Sequence, residues 1–116
     1  MEGTILVVED DADILESVRD LLEQEGYAVL EARDGREALA VLARSVRPGL
    51  ILLDLQMPVM DGFELLAELG RRADLATVPV VVLSAASTQA SPAGLPFIRK
   101  PFSIEALLEA ARRYLS

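Results

Sequence analysis

The feature that most constrains the fold is a regular alternation of short apolar runs with segments of helical periodicity. Three runs, Thr4–Val8, Leu50–Leu53 and Val78–Leu83, lack polar alternation, which is typical of strands covered on both faces of a parallel sheet. Two further runs, Tyr27–Glu31 and Pro96–Arg99, also predict strands. Strands that alternate with helices favour an α/β fold with right-handed crossovers and a five-stranded parallel sheet.

The segments between the predicted strands have apolar residues at the spacing of amphipathic helices. Their predicted inward faces consist of Ile14, Leu15, Val18, Leu21 and Leu22; of Ala38, Leu39 and Leu42; of Phe63, Leu66 and Leu69; and of Ile104, Leu107, Leu108, Ala111 and Leu115. Gly26 is placed to end the first helix in a left-handed conformation, and Asp34 and Ser103 are placed to begin later ones. Residues 85–94 are small, polar and interrupted by Pro92, so they predict at most one helical turn.

Charge and residue usage exclude several classes of function. The 116 residues include 11 basic and 19 acidic side chains, and the net charge of −8 disfavours binding to nucleic acid or to an anionic membrane. The chain has no cysteine and no histidine, so thiolate zinc sites and imidazole bases are excluded, and carboxylates remain as ligands for a hard cation such as Mg²⁺. The length predicts one domain over residues 1–116. The first residues lack signal-peptide features and no apolar run approaches the roughly 20 residues of a membrane span, so we expect a cytoplasmic protein.

Polar residues at the ends of the predicted strands indicate a site. Glu9 and Asp10 follow the first strand, Asp54 ends the third, Ser84 ends the fourth and Lys100 ends the fifth. Parallel strands with right-handed crossovers bring their carboxyl ends to one edge, where such folds bind ligands. Three carboxylates that converge there share protons or bind a cation, because they repel one another. We therefore expect Mg²⁺ between the carboxylates, with the serine and the lysine placed to contact a phosphoryl group that Asp54 attacks.

Four blocks of sequence resemble a known family. The blocks are Ile5–Asp11, Leu53–Gly62, Leu83–Ala85 and Lys100–Phe102, and in this order and spacing they are similar to the receiver domain of two-component response regulators over nearly the whole chain. The resemblance implies a single-domain flavodoxin-like (βα)5 three-layer sandwich with a parallel sheet in the order 2-1-3-4-5. The segment between the third and fourth blocks looks shorter than in typical receivers, which predicts that the family's fourth helix is shortened or absent.

The resemblance also implies how the acidic residues act. Asp54 accepts a phosphoryl group from a phosphohistidine of a sensor histidine kinase or a histidine phosphotransfer protein in a two-component phosphorelay. Asp10 and Asp54 coordinate Mg²⁺ directly, Glu9 holds it through water, and the backbone carbonyl of Gln56 completes the protein ligands. The chain is then a phosphoprotein whose only chemistry is its own aspartyl phosphorylation and dephosphorylation, and we expect a signalling domain rather than an enzyme.

The remaining implied roles concern the phosphoryl group and the output. Ser84 donates a hydrogen bond to one phosphoryl oxygen, and Lys100 pairs with another. Phe97 matches the family's aromatic switch position, where the ring turns inward after phosphorylation and changes the surface that partners contact. The expected partner on the output side is a downstream protein effector or a fused output domain.

Other interpretations of the same residues remain open from sequence alone. Glu9-Asp10-Asp11 is also typical of a solvated turn that caps a helix, Ser84 of a turn cap, and Phe97 of an ordinary core residue. A pseudo-receiver that only binds proteins is a second class, and the full set of site residues argues against it. A phosphoaspartyl hydrolase of the haloacid dehalogenase type places its nucleophile after the first strand, whereas Asp54 follows the third. The chain is either a stand-alone regulator or one part of a longer protein.

Overall fold

The computed structural model describes residues 3–44, 47–54, 60, 62–72, 74–84, 95–99 and 103–115. In chain order the elements are β1 (Thr4–Val8), α1 (Ala12–Gln24), β2 (Ala28–Ala32), α2 (Gly35–Arg44), β3 (Leu50–Asp54), α3 (Gly62–Gly70), β4 (Val80–Ser84), β5 (Phe97–Arg99) and α4 (Ile104–Leu115). The five strands form one parallel sheet in the order β2-β1-β3-β4-β5. The predicted α/β fold and strand order are confirmed, whereas the predicted shortening of the family's fourth helix concerns residues 85–94, outside the described part.

The central strands are buried on both faces, which explains why their sequences are uniformly apolar. All five residues of β3 are buried, and four residues of β1 are completely buried. Alternate side chains of a strand point to opposite faces. Ile5 and Val7 therefore contact one core cluster, and Leu6 and Val8 contact the other. The sheet is the middle layer of three.

In the described part of the chain, two helices cover each face of the sheet. The helices α1 and α4 pack on one face, and α2 and α3 pack on the other. The first pair buries Leu15, Val18, Leu22, Leu107, Leu108, Ala110 and Ala111. The second pair buries Ala38, Val41, Leu42, Leu65 and Leu69. The apolar spacing in the sequence therefore located most of the helix contacts. Within the described residues, no helix is long and apolar enough to cross a membrane.

The limits of α1 follow from two local interactions. The Asp11 side chain caps the helix, because its Oδ1 accepts hydrogen bonds from the backbone N–H groups of Asp13 and Ile14 at 2.9 and 3.1 Å. At the other end Gly26 adopts a φ of 98°, in the left-handed region that favours glycine. The predicted termination at Gly26 is confirmed.

Side-chain caps also begin α2 and α4. Asp34 Oδ1 accepts from the backbone N–H of Glu37 at 2.8 Å, and Ser103 Oγ accepts from that of Ala106 at 3.1 Å. Both residues satisfy N–H groups that have no partner within the helix. The two caps predicted from the sequence are confirmed.

Two predicted inward positions are wrong. Phe63 is 56% exposed and Ile104 is 59% exposed. In α3 the buried residues are Gly62, Leu65 and Leu69, and successive helical residues are rotated by about 100°, so Phe63 points away from that face. Ile104 opens α4 at the carboxyl edge of the sheet, where it borders a groove between α1 and α4 instead of packing on a strand.

Strand boundaries differ from the predicted ones by one or two residues. β2 begins and ends one residue later than predicted. β4 begins at Val80 rather than at Val78, because the N–H of Val78 donates to the Leu75 carbonyl at 3.1 Å and so belongs to the preceding turn. Pro79, which has no N–H, separates that turn from the strand.

Arg19 connects α1 to the edge strand β2. Its Nη1 donates to Glu31 Oε2 at 2.9 Å, and its Nε and Nη2 donate to Asp20 Oδ1 at 3.1 and 3.0 Å. The hydrogen bond to Glu31, followed by those to Asp20, raises the pKa of Arg19 above its ordinary value. The pairs lie at the surface, where water and salt weaken them, so they orient the helix more than they stabilise the fold.

Candidate active site

The register of the two central strands brings Glu9 and Asp54 together. Val8 pairs with Leu53 across the parallel strands β1 and β3, so the next residue of each chain segment emerges at the same point of the carboxyl edge. The N–H of Glu9 also donates to the Ala32 carbonyl at the end of β2, at 2.9 Å. Sheet hydrogen bonds therefore hold the backbone of Glu9, and Asp54 is itself the last residue of β3.

A third carboxylate joins these two. One ligand oxygen each of Glu9, Asp10 and Asp54 lies within 4.8 Å of the other two. Glu9 is only 1% exposed and Asp54 only 6%, whereas Asp10 is exposed to solvent. The structure thus brings together the three carboxylates that the strand ends indicated. Negative charges this close raise the free energy unless a cation or protons compensate them.

The donor set of this cluster fits Mg²⁺. Carboxylate oxygens are its preferred protein ligands, and the ion usually takes one or two of them and keeps several waters. Oxygens on opposite sides of Mg²⁺ are about 4.2 Å apart, because each bond is about 2.1 Å long. The three carboxylate oxygens, all within 4.8 Å of one another, are therefore close enough to contact one ion directly or through its water. The role of these residues as ligands stays a prediction.

Asp11 lies beside the cluster but serves a different purpose. Its side chain caps α1, as described above, and its backbone N–H donates to Glu9 Oε2 at 3.1 Å. The Glu9 carboxylate is therefore oriented by the turn that begins the helix. The helix-cap interpretation of the acidic run is correct for Asp11, while the burial of Glu9 is unlike a solvated turn.

The other predicted site residues are described only in part. Ser84 ends β4, the strand beside β3, so its backbone lies at the same edge as Asp54. The side chain of Ser84 lies outside the described part of the structure, as do Gln56 and Lys100, and their predicted contacts stay predictions. Phe97 begins β5 and is 44% exposed, so it is not an ordinary core residue.

One contact near the site was not indicated by the sequence. The N–H of Gly35, the first residue of α2, donates to the Met60 carbonyl at 2.8 Å. From the sequence, Asp34 and Gly35 predict only a turn and a helix start. The one available signal is Gly35 itself. A helix start does not require the left-handed φ that favours glycine, so a glycine at this position often marks the close approach of another backbone.

Comparisons with known sequences identify the family. Residues 5–112 match the profile of the response regulator receiver domain. The chain is 42% identical over 121 residues to response regulator MprA of Mycolicibacterium vanbaalenii, with 99% of this chain and 51% of MprA aligned. It is 33% identical over 121 residues to the polar-differentiation response regulator DivK of Brucella anthropi, with 99% of this chain and 98% of DivK aligned. The chain therefore spans about half the length of MprA and nearly the whole of DivK.

Solved structures share the fold. The receiver domain of a signal transduction histidine kinase from Syntrophus aciditrophicus has a TM-score of 0.86 at 36% identity, covering 97% of this chain and 89% of that one. Chemotaxis protein CheY4 of Vibrio cholerae has a TM-score of 0.87 at 31% identity, covering 99% and 100%. The receiver domain of sensor histidine kinase PA1611 from Pseudomonas aeruginosa, with a magnesium ion coordinated in its active site cleft, has a TM-score of 0.89 at 28% identity, covering 98% of both chains. With its sheet order and its acidic cluster, this chain belongs to the response regulator receiver domain family, the signalling domains of two-component systems.

Proposed function

We propose that Asp54 is the phosphoryl acceptor and that residues 1–116 act as one phosphorylatable receiver domain. The observation that carries the proposal is the convergence of Glu9, Asp10 and Asp54 within 4.8 Å at the carboxyl edge of the sheet. Asp54 ends β3, with β1 on one side and β4 on the other. It is therefore the carboxylate that lies between the acidic pair and the residue that ends β4.

In the proposed reaction a carboxylate oxygen of Asp54 attacks the phosphorus of a phosphohistidine in line with the bond that breaks. A P–O bond to Asp54 forms, the P–N bond breaks, and its electron pair remains on the imidazole nitrogen of the donor. The chain contains no histidine, so the donor side chain lies outside it. Dephosphorylation is the attack of water on the same phosphorus, which restores the carboxylate.

A bound Mg²⁺ would neutralise the charge on the phosphoryl oxygens and hold them for the in-line attack. We assign Asp10 and Asp54 as its direct ligands, Glu9 as a ligand through water, and the backbone carbonyl of Gln56 as the last protein ligand. The hydrogen bond from the N–H of Asp11 to Glu9 Oε2 supports a fixed orientation of the Glu9 carboxylate. The magnesium ion in the PA1611 receiver supports the choice of metal.

Two more groups are proposed to hold the phosphoryl oxygens. The Ser84 hydroxyl donates a hydrogen bond to one oxygen, and the Lys100 ammonium pairs with another. The sheet order supports this assignment, because β4 is next to β3 and β5 is next to β4. Residues at the ends of these strands share the edge at which Asp54 lies. Together these two groups would orient the phosphorus toward the Asp54 carboxylate.

We further propose that the domain transfers a signal between two proteins in the cytoplasm. A sensor histidine kinase or a histidine phosphotransfer protein supplies the phosphoryl group, and a downstream effector or a fused output domain responds. The similar region makes up nearly the whole of DivK and about half of MprA. In another similar protein it is the receiver domain of a histidine kinase. The chemistry of the chain is then confined to its own phosphorylation and dephosphorylation.

Incubation of the purified chain with acetyl phosphate and Mg²⁺ tests the acceptor. We expect the intact mass to increase by one phosphoryl group, stable in acid and lost in base, and peptide mapping to place the group on Asp54. EDTA should abolish the gain. The Asp54→Asn variant, which keeps the shape of the side chain and loses the nucleophile, should show none.

The matched control is Asp74→Asn, which neutralises an exposed carboxylate in the turn before β4. It should be phosphorylated like the wild type. Asp10→Asn should be phosphorylated more slowly, still on Asp54, because it loses a metal ligand and keeps the acceptor. A mass gain that persists in Asp54→Asn, or that proceeds equally well in EDTA, would contradict the proposal.

A further inference from the structure

We propose that Gly35 is a positioning residue for the phosphorylation site, because its missing side chain lets Met60 pack against the start of α2. Met60 lies six residues after Asp54 in the sequence and two residues before α3. The inference rests on the proposed function of Asp54 and adds to it a residue that touches neither metal nor phosphoryl group.

The contact between the two residues is close. The N–H of Gly35 donates to the Met60 carbonyl at 2.8 Å, and Gly35 is buried. A Cβ at Gly35 would lie 2.6 Å from Met60 Cγ, 2.9 Å from its Sδ and 2.8 Å from its carbonyl oxygen. Real Cβ atoms essentially never come within 3.0 Å of such atoms. A different side-chain rotamer could move the first two atoms, but only a shift of the backbone could move the carbonyl.

Backbone conformation does not explain this glycine. Among the described residues the glycine with a positive φ is Gly26, and Gly35 lies in α2. Glycine also has a lower intrinsic helix propensity than alanine. Space for Met60 is therefore the physical reason for a glycine at position 35.

The contact fixes one end of a short connection whose other end is the acceptor. Five residues separate Asp54, the last residue of β3, from Met60. Met60 packs against the core cluster on the α2 and α3 face of the sheet. Glu9 is linked to the same region, because its N–H donates to the carbonyl of Ala32, three residues before Gly35. Strain at the contact between Gly35 and Met60 would therefore be passed along the end of β2 to Glu9, one of the three carboxylates.

Gly35→Ala is the test, with the Mg²⁺ dissociation constant of the folded protein as its readout. Added bulk should push the Met60 backbone outward and weaken Mg²⁺ binding by roughly tenfold, as changes that orient metal ligands indirectly usually do. The affinity is measured by NMR titration with MgCl₂ alone. The free energy of unfolding, measured in urea without Mg²⁺, and the rate of phosphorylation by acetyl phosphate are recorded in parallel.

Two glycines in the same chain provide matched controls. A Cβ at Gly70, at the end of α3, would meet nothing within 4 Å, so Gly70→Ala should leave Mg²⁺ affinity unchanged. A Cβ at Gly49, just before β3, would contact the Leu115 side chain at the opposite edge of the sheet. Gly49→Ala therefore creates a side-chain clash far from the site, which a change of the Leu115 rotamer can relieve, and it should not weaken Mg²⁺ binding.

Changes at Met60 keep the inference testable if Gly35→Ala does not fold. Met60→Ala removes the methionine Cγ and Sδ and keeps the carbonyl, so its Mg²⁺ affinity should stay close to that of the wild type. In the Gly35→Ala/Met60→Ala double variant only the carbonyl clash remains. Its affinity should lie between those of the two single variants, and several-fold below that of Met60→Ala.

The outcomes separate this inference from the function on which it rests. If the wild type is phosphorylated on Asp54 and Gly35→Ala binds Mg²⁺ as tightly as Gly70→Ala, the positioning role of Gly35 is refuted and the acceptor stands. Equal affinities of the double variant and Met60→Ala refute it as well. If the wild type neither binds Mg²⁺ nor gains a phosphoryl group, the proposed function fails and the inference fails with it.

Discussion

Replacement of Asp54 by asparagine is expected to stabilise the protein when no divalent cation is present. At the 4.8 Å that bounds the separations in the acidic cluster, two unit charges repel by about 0.9 kcal/mol in water and about 3.5 kcal/mol at an effective dielectric constant of 20. Asp10 is exposed and Glu9 is buried, so the two repulsions that Asp54 experiences fall between these limits. Because Asp54→Asn removes both repulsions, we expect the free energy of unfolding to rise by about 2 kcal/mol, their sum at the lower limit.

Excess Mg²⁺ should reverse the order of stability. A ligand that binds only the folded state adds about 2.7 kcal/mol to the free energy of unfolding at one hundred times its dissociation constant. Asp54→Asn replaces a charged ligand by a neutral amide and so loses most of this increment. The wild type is then the more stable protein in Mg²⁺, and the variant is the more stable one in EDTA.

Urea unfolding followed by circular dichroism measures the gain in stability in EDTA and its reversal in excess MgCl₂, with the ionic strength held constant. Asp74→Asn is the control, because it changes the net charge equally at an exposed position away from the cluster. It should respond to Mg²⁺ like the wild type and show no comparable gain in EDTA. The reasoning is refuted if Asp54→Asn is less stable than the wild type in EDTA, or if Mg²⁺ stabilises both proteins to the same extent.

Three further substitutions examine the fold around the site, each by urea unfolding in EDTA. Asp11→Ala removes the cap of α1 and should lower the free energy of unfolding by about 1 kcal/mol, whereas Asp11→Ser should restore most of it; equal losses would argue against a capping role. Leu65→Ala, at a completely buried position of α3, should cost about 2 to 5 kcal/mol, and a loss below about 1 kcal/mol would be incompatible with that packing. Gly26→Ala, at a φ of 98°, should cost about 1 to 2 kcal/mol, and an unchanged stability would mean that the turn is relaxed in another conformation.

Local rules in the sequence were sufficient for most of the fold. β1 and β3 could be predicted because burial on both faces leaves no polar residue in their interiors, as Leu6 and Leu52 show. The start of α4 at Ser103 followed from the chemistry of a single side chain. These features depend on residues a few positions apart, and sequence reasoning resolves that range well.

The wrong prediction for Phe63 and the missed contact of Gly35 depend on packing between distant parts of the chain. The spacing of Phe63 from Leu66 and Leu69 predicts that it faces inward, but the buried residues of α3 are Gly62, Leu65 and Leu69. The contact of Gly35 with Met60 joins residues 25 positions apart, and no local pattern identifies Met60 as the partner of that glycine. The convergence of the carboxylates could be predicted, because the topology of a parallel sheet brings strand ends together whatever the intervening sequence.

The pairing of β1 and β3 has a consequence for the timing of signalling. Each of these strands is hydrogen-bonded to a neighbour on both sides, and central strands belong to the last parts of a protein to open, as amide hydrogen exchange measures it. The acidic residues Glu9 and Asp54 extend directly from them. The backbone of the proposed acceptor, Asp54, is thus expected to stay in place during an encounter, so the phosphoryl donor makes the movements that align the two.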